Sequence, residues 1–446
     1  MIDQPDDHII ERRTKRLLLN ATSLIFLFIL YASLLPYNIS ANASGVSFQA
    51  FIDVLRFSSM NAEQGQWIAH VIFNILLTFT GSLYCQVSSR KNILLIMYVS
   101  ILGFGFLIEY LQMFVGNRGS SLVDVYANIA GIFIGFIGWK LFGNFTLRAV
   151  KYFYKYGTLE IGFVKKLYLA FVIAIILFPF DFFINGLQFQ VAFATKGMPL
   201  FENNTAVGIG TISLLAAAIL LFPLGVLYKL GKVSRRKSSD APTIIKFALL
   251  LLLLEILQFF ELSGQSSFLS YICKIIGFCA GYYLAGFFNL RLIIELVLKM
   301  RITIFMVLPF FMWAVLKIKG VSITFVGSFD DIMTVIGNTS FLPFNYYINV
   351  GSGEALLSFL LTFIVFMPIG AALAVHNIYK GTEDDQSISK LSRIGVLCSI
   401  MLEIIVLVWG LKRPDVTNVL LAAMALPLGY QFVLMTYNSV KIPEKN

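Results

Sequence analysis

Charge is scarce in this chain of 446 residues: only 13% are Asp, Glu, Lys or Arg, against 58% that are hydrophobic. An ordinary soluble domain carries about twice that share of charge. Together with a mean hydropathy of +0.82, this excludes a soluble globular fold. Histidine and cysteine are scarce as well, with 3 and 4 residues. His8, His70 and His376 lie far apart, and Cys85, Cys273, Cys279 and Cys398 lack metal-ligand spacing. No nucleophile motif or phosphate loop is legible, so neither a cofactor nor a metal is expected. His70, at the start of the second expected helix, could approach the hairpin of the third and fourth, but a lone histidine at the edge of an apolar run reads as structural. The cysteines lie in or beside apolar runs, where they act as small buried hydrophobes and say little about redox compartment. Met1 to Arg16 is polar and basic, but no small-residue cleavage site follows, so the next run reads as a retained helix.

What the chain has instead is apolar runs near the ~20 residues that a helix needs to cross a bilayer. Runs this long and unalternating satisfy their backbone in hydrocarbon only as helices. Twelve spans are expected, in three sets of four: 17–37, 66–86, 93–114 and 122–142; 165–185, 207–229, 243–262 and 267–289; 301–317, 355–377, 393–411 and 416–436. The fold class is an all-α polytopic membrane protein.

The three sets are related. Glu109, Glu255 and Glu403 sit in apolar stretches and are followed by one pattern at fixed offsets, without a gap. Fifteen residues on comes Asp124, Ser270 or Asn418; nineteen on comes Asn128, Lys274 or Ala422. Twenty-two on comes Gly131, Gly277 or Ala425, and twenty-six on comes Gly135, Gly281 or Gly429. The chain reads as a threefold repeat, with copies over 1–150, 151–298 and 299–446. Four spans per copy is an even number, so the copies are parallel, related by an axis along the membrane normal.

Charge supplies the orientation. Of 34 Lys and Arg, Arg56, Arg118, Lys196, Lys317, Lys319, Lys412 and Arg413 fall on one side, and Lys274 falls inside a span. All the others fall at the termini and the even-numbered connections, which the positive-inside rule places in the cytoplasm. The net charge of +10 then reflects topology and contact with anionic lipid, and nucleic acid is not an expected partner. On the opposite side, Phe48, Phe51, Ile52 and Leu55 recur at helical spacing beside Asp53 and Arg56, predicting a short interfacial helix. Phe341 to Tyr347 is aromatic and broken by Pro343, as expected near headgroups. Both connections also read as covering loops without a ligand role.

The third-to-fourth connections are short, so those helices form hairpins, and the first hairpin is chemically richest. Glu109 and Gln112 share a helix face, Arg118 lies in the turn, and Asp124, Asn128, Gly131, Gly135 and Gly138 form one stripe. Its small end, with Gly277, Gly281 and Gly429 in the other copies, suits close helix packing in lipid. Its polar end is a ligand-site hypothesis, because a carboxylate inside a span is costly unless paired, and Arg118 can grip a carboxylate or phosphate in a fork. The alternative is structural, with Asp124 in the first helical turn after a capping Ser121. In the second copy, Glu255 and Gln258 face Lys274, and a Glu255–Lys274 pair would neutralise itself. In the third, Glu403 has Lys412, Arg413 and Asn418 nearby, a positive balance that makes it a secondary candidate.

The order E-x-x-Q, then R-x(5)-D-x(3)-N-x-x-G-x(3)-G, carried by Glu109, Gln112, Arg118, Asp124, Asn128, Gly131 and Gly135, resembles the VanZ-like membrane protein family. So do Phe222-Pro223-Leu224-Gly225, Phe366-Met367-Pro368-Ile369-Gly370 and Leu342-Pro343-Phe344. Members usually look like one four-helix unit, so the chain resembles three fused units. The copies depart from the pattern. The first has Thr80 for the proline; the second has Gly264 at the Arg offset, Ser270 and Lys274; the third has Val406, Lys412, Asn418 and Ala422. The resemblance implies an envelope-associated bacterial membrane protein, the family's namesake being associated with resistance to the glycopeptide teicoplanin. It supplies no reaction. Three functions follow: binding of an amphiphile or anionic lipid headgroup at the outer-face cluster, transport or lipid translocation, and an intramembrane enzyme with Glu109 and Asp124 as acid and base. Binding leads, with membrane lipids and a lipid-linked or lipophilic ligand as partners; nothing speaks to oligomeric state.

Overall fold

In hydrocarbon the backbone has only itself to bond with, and the apolar runs fold accordingly. The computed structural model describes residues 7–35, 48–57, 64–115, 120–178, 180, 182, 186–198, 201–202, 211–233, 240–264, 266–287, 290–318, 328–350, 352–382, 387–410 and 413–441. They group into two units, Met1–Gly157 and Thr158–Asn446.

The first unit holds α1 (Asp7–Leu34), α2 (Phe48–Phe57), α3 (Gln64–Val87), α4 (Leu94–Gln112) and α5 (Leu122–Tyr156). The short α2 is the helix that the Phe48 periodicity predicts. Phe51 is buried, Phe48 is exposed, and both rings meet Tyr110 edge-on near the end of α4. α5 continues through the basic segment expected to link the first two copies. It stops where Gly157 takes φ 69, a left-handed cap that glycine adopts without steric cost.

The second unit holds α6 (Ile161–Ile176), α7 (Gly186–Lys196), α8 (Thr211–Val233), α9 (Ala241–Phe259), α10 (Phe268–Phe287) and α11 (Leu290–Lys299). It goes on through α12 (Arg301–Ile318), α13 (Phe329–Gly337), α14 (Asn345–Asn349), α15 (Ser352–Lys380), α16 (Ile388–Gly410) and α17 (Val416–Lys441). α13 opens on a capping box, and the hydrogen bonds from Ser328 hold the Asp331 carboxyl below its ordinary range. The aromatic segment around Pro343 docks on α17: Phe344, at φ 63, donates its N–H to Thr417 Oγ1 at 2.7 Å.

Among the described residues ten helices are long and apolar enough to cross a membrane, fewer than the twelve expected. One expected span is short, α6 with 16 residues; α12, Arg301–Ile318 with Pro309 inside, has the extent expected of it. Sixteen residues reach about 24 Å, less than a hydrocarbon core of about 30 Å. α6 ends shortly before Pro179, and the position before a proline disfavours helix.

The tightest packing runs between α3 and α5, α8 and α10, and α15 and α17. Small residues permit it. A methyl group on Gly131 would lie 2.6 Å from the Val71 carbonyl oxygen, and one on Gly135 2.9 Å from that of Ile75. On Gly277 and Gly281 it would lie 2.2 Å from Ala218 O and 2.0 Å from Phe222 O; on Gly429, 2.0 Å from Met367 O. The glycine stripe thus faces the helix before the hairpin, so backbones touch where side chains would keep them apart. Leu24, Leu95, Phe133, Leu141, Ile219 and Phe310 point outward while Glu109, Asp124, Asn128, Glu255, Lys274 and Glu403 are buried, the inverse of a water-soluble protein.

Candidate functional site

Each buried glutamate meets the start of the next helix. Glu109 Oε2 accepts the backbone N–H of Ser121 at 3.2 Å, Glu255 Oε2 that of Ser267 at 3.4 Å, and Glu403 Oε2 that of Asp415 at 3.0 Å. These residues immediately precede α5, α10 and α17. The first amides of a helix lack internal partners and carry a partial positive charge, so one carboxylate oxygen closes each hairpin. The glutamine one turn on does a related job: Gln112 Nε2 donates to Ser33 O near the end of α1, and Gln258 Nε2 to Ile176 O at the end of α6. Val406, at the corresponding place in α16, has no such group.

The other oxygen distinguishes the hairpins. Glu255 Oε1 accepts Lys274 Nζ at 2.6 Å, and that ammonium also donates to Gln258 Oε1 at 3.0 Å. The expected pair is therefore present, buried and internally balanced. Glu403 Oε1 accepts Asn418 Nδ2 at 2.9 Å, and Asn418 Oδ1 in turn accepts the Thr362 hydroxyl. Glu403 also borders an apolar cavity of about 280 Å³ lined by Ile336, Phe341, Ile400, Ile404, Leu407 and Val419.

In the first hairpin, among the described residues, no hydrogen-bond donor reaches Glu109 Oε1, and none reaches Asp124 Oδ1. Glu109 is fully buried and Asp124 is 3% exposed. Asp124 Oδ2 accepts the Ser121 hydroxyl, whose oxygen accepts the Asp124 N–H, so the capping role expected of Ser121 is one half of what Asp124 does. His70 Nε2, from α3, lies 3.9 Å from Glu109 Oε1. Its Nδ1 lies 3.1 Å from Asn128 Oδ1, which also accepts Asn74 Nδ2 at 2.8 Å. An amide oxygen only accepts, so Nδ1 donates to it, and Nε2 is the ring nitrogen that faces Glu109. Asn74 Nδ2 donates to the His70 carbonyl as well, and Gly105 on α4 leaves room for the Asn128 amide.

The structure thus brings Glu109, Asp124 and Asn128 together and turns Gln112 towards α1. Arg118 and Lys412 lie outside the described residues; Arg413 is exposed. His70 and Asn74 joined no sequence motif. Superposing the glycine contacts sets His70 opposite Ala217 and Thr362, at 39, 38 and 41 residues before their glutamates, so an ungapped comparison of the hairpins does not reach them.

Apolar outside, polar within, and built of membrane-length helices, the molecule is a polytopic all-α membrane protein. Residues 19–143, which contain the whole first hairpin cluster, match the family model VanZ/LLP1. Over that stretch, the first unit of the chain, the protein is similar to the VanZ-like family. No curated protein and no solved structure matches the chain.

Proposed function

We propose that this protein binds a membrane amphiphile by its headgroup at the first hairpin. Glu109 and Asp124 accept hydroxyl or amine donors, and the sequence offers Arg118, in the connection between their helices, for an anionic group. One observation carries the reading: of the three related glutamates, only Glu109 leaves an oxygen without a donor among the described residues. A buried acceptor left unmade costs about 1–3 kcal/mol, an energy that an arriving donor recovers. Lipids and lipophilic antibiotics are amphiphiles of this class. In this reading the chain is three fused VanZ-like copies with boundaries near 150 and 298, the first being the binding unit and the others supports.

The reading is tested on protein purified in mild detergent, with copurifying lipids identified by mass spectrometry. Wild type should retain a defined species that Glu109→Gln loses, while the Glu255→Gln/Lys274→Met double variant keeps it. Equal retention by wild type and Glu109→Gln would sink the reading. In the same reading the protein lies in a bacterial inner membrane, as the family resemblance implies, with both termini cytoplasmic, an orientation that the charge asymmetry supports. In a cysteine-free background of intact cells, an impermeant thiol reagent should label a cysteine at 118 and spare one at 237; the reverse pattern overturns the orientation.

A further inference from the structure

We propose that His70, Glu109 and Asp124 form a binding site for a divalent transition-metal ion, zinc being the ion that the donor set suits best. The ligand atoms, one from each residue, all lie within 4.8 Å of one another. Metal–ligand bonds of about 2.1 Å set neighbouring donors roughly 3.0–3.5 Å apart. Side-chain rotation over about 1 Å would close the site.

Three observations point to a cation there. First, Glu109 Oε1 and Asp124 Oδ1 are buried acceptors with no hydrogen-bond donor among the described residues, and His70 Nε2 lies 3.9 Å from Glu109 Oε1. Asn128 and Asn74 hold the imidazole with its proton on Nδ1, the arrangement in which Nε2 can ligate. Second, the second hairpin places a cation at the corresponding oxygen. Lys274 Nζ sits 2.6 Å from Glu255 Oε1, and the residue at that offset in the first hairpin is Asn128, which has no charge to offer. Third, the charges balance. One carboxylate in the second hairpin meets one ammonium; two carboxylates in the first would meet a doubly charged ion, leaving no net charge in a low-dielectric setting. One imidazole and two carboxylates suit zinc, which binds both donor types and needs no fourth protein ligand when a water or substrate atom takes that position. The absence of metal-ligand spacing in the sequence is no obstacle, because the ligands come from α3, α4 and α5. The site stands on this geometry alone and does not require the amphiphile.

Full-length protein in detergent would be stripped with chelator, back-titrated with zinc, dialysed, and assayed for zinc per chain by elemental mass spectrometry. One zinc per chain is expected in wild type and in Glu255→Gln/Lys274→Met, and less than a tenth of that in Glu109→Gln and Asp124→Asn. Zinc should raise the melting temperature of wild type and leave those two variants unmoved. Should either variant fail to fold, His70→Gln provides the check: it leaves both carboxylates in place, and cobalt bound to wild type should give a visible absorption band that His70→Gln shifts or loses. Background zinc in wild type would overturn the proposal, with a proton shared by the carboxylates in its place. One zinc persisting in both Glu109→Gln and Asp124→Asn would also overturn it. Lipid retention measured with and without zinc keeps the two readings apart, since zinc binding without a retained lipid removes only the amphiphile.

Discussion

The first and second hairpins set the same buried glutamate against the same backbone amide and then part at a single oxygen atom. In the second, Lys274 closes the account of charge around Glu255; in the first, Asp124 adds a second carboxylate where the other hairpins have Ser270 and Asn418. The glutamate's recurrence is therefore explained by structure, because one of its oxygens satisfies the start of a helix in all three places. Repetition of a buried charge is not evidence of function. The evidence lies in the oxygen that no described residue reaches with a donor.

The largest expected effect breaks the second hairpin. Glu255→Gln or Lys274→Met alone strands one buried charge and should cost about 3–5 kcal/mol, whereas the double variant should stay within about 1–2 kcal/mol of wild type. Reversible unfolding in mixed micelles measures all three. A double variant less stable than both singles would show that the pair is not a self-contained unit. The same substitution in the first hairpin should have the opposite sign: Glu109→Gln removes a carboxylate that repels Asp124, so metal-free protein should be unchanged or more stable.

A smaller effect separates the helix contacts. Gly281→Ala would place a methyl group 2.0 Å from the Phe222 carbonyl oxygen, so α8 and α10 must move apart at a cost of about 1–3 kcal/mol or more. Gly138→Ala in α5 meets nothing nearer than Phe79 Cδ2 at 3.7 Å and should be tolerated within about 0.5 kcal/mol. The same unfolding assay distinguishes them, and equal losses would mean that the contacts are not what holds the helices together.

Much of this was legible in the residues themselves. The apolar runs announced the helices, and the offsets after Glu109, Glu255 and Glu403 announced related hairpins. Lys274, placed one turn beyond Ser270, announced the ion pair. The end of α6 was misplaced because hydropathy continues past Ile176, where the helix stops, whereas α12 runs as expected with Pro309 inside it. His70 was read as structural because it is a lone histidine at the edge of an apolar run, and its distance from the glutamate differs from that of Ala217 and Thr362 by a residue or two, so no ungapped comparison set it in a motif.

By itself the sequence determined the helices, the polar end and small end of each hairpin stripe, and the charge inventory, since hydrophobicity and spacing act locally along a chain. Only the tertiary structure decided which oxygen of Glu109 takes the Ser121 amide and which no described residue reaches with a donor, and that His70, held by Asn128, stands beside it. Those facts depend on α3 packing against α5 at Gly131 and Gly135, a contact between segments about sixty residues apart whose register local chemistry does not specify.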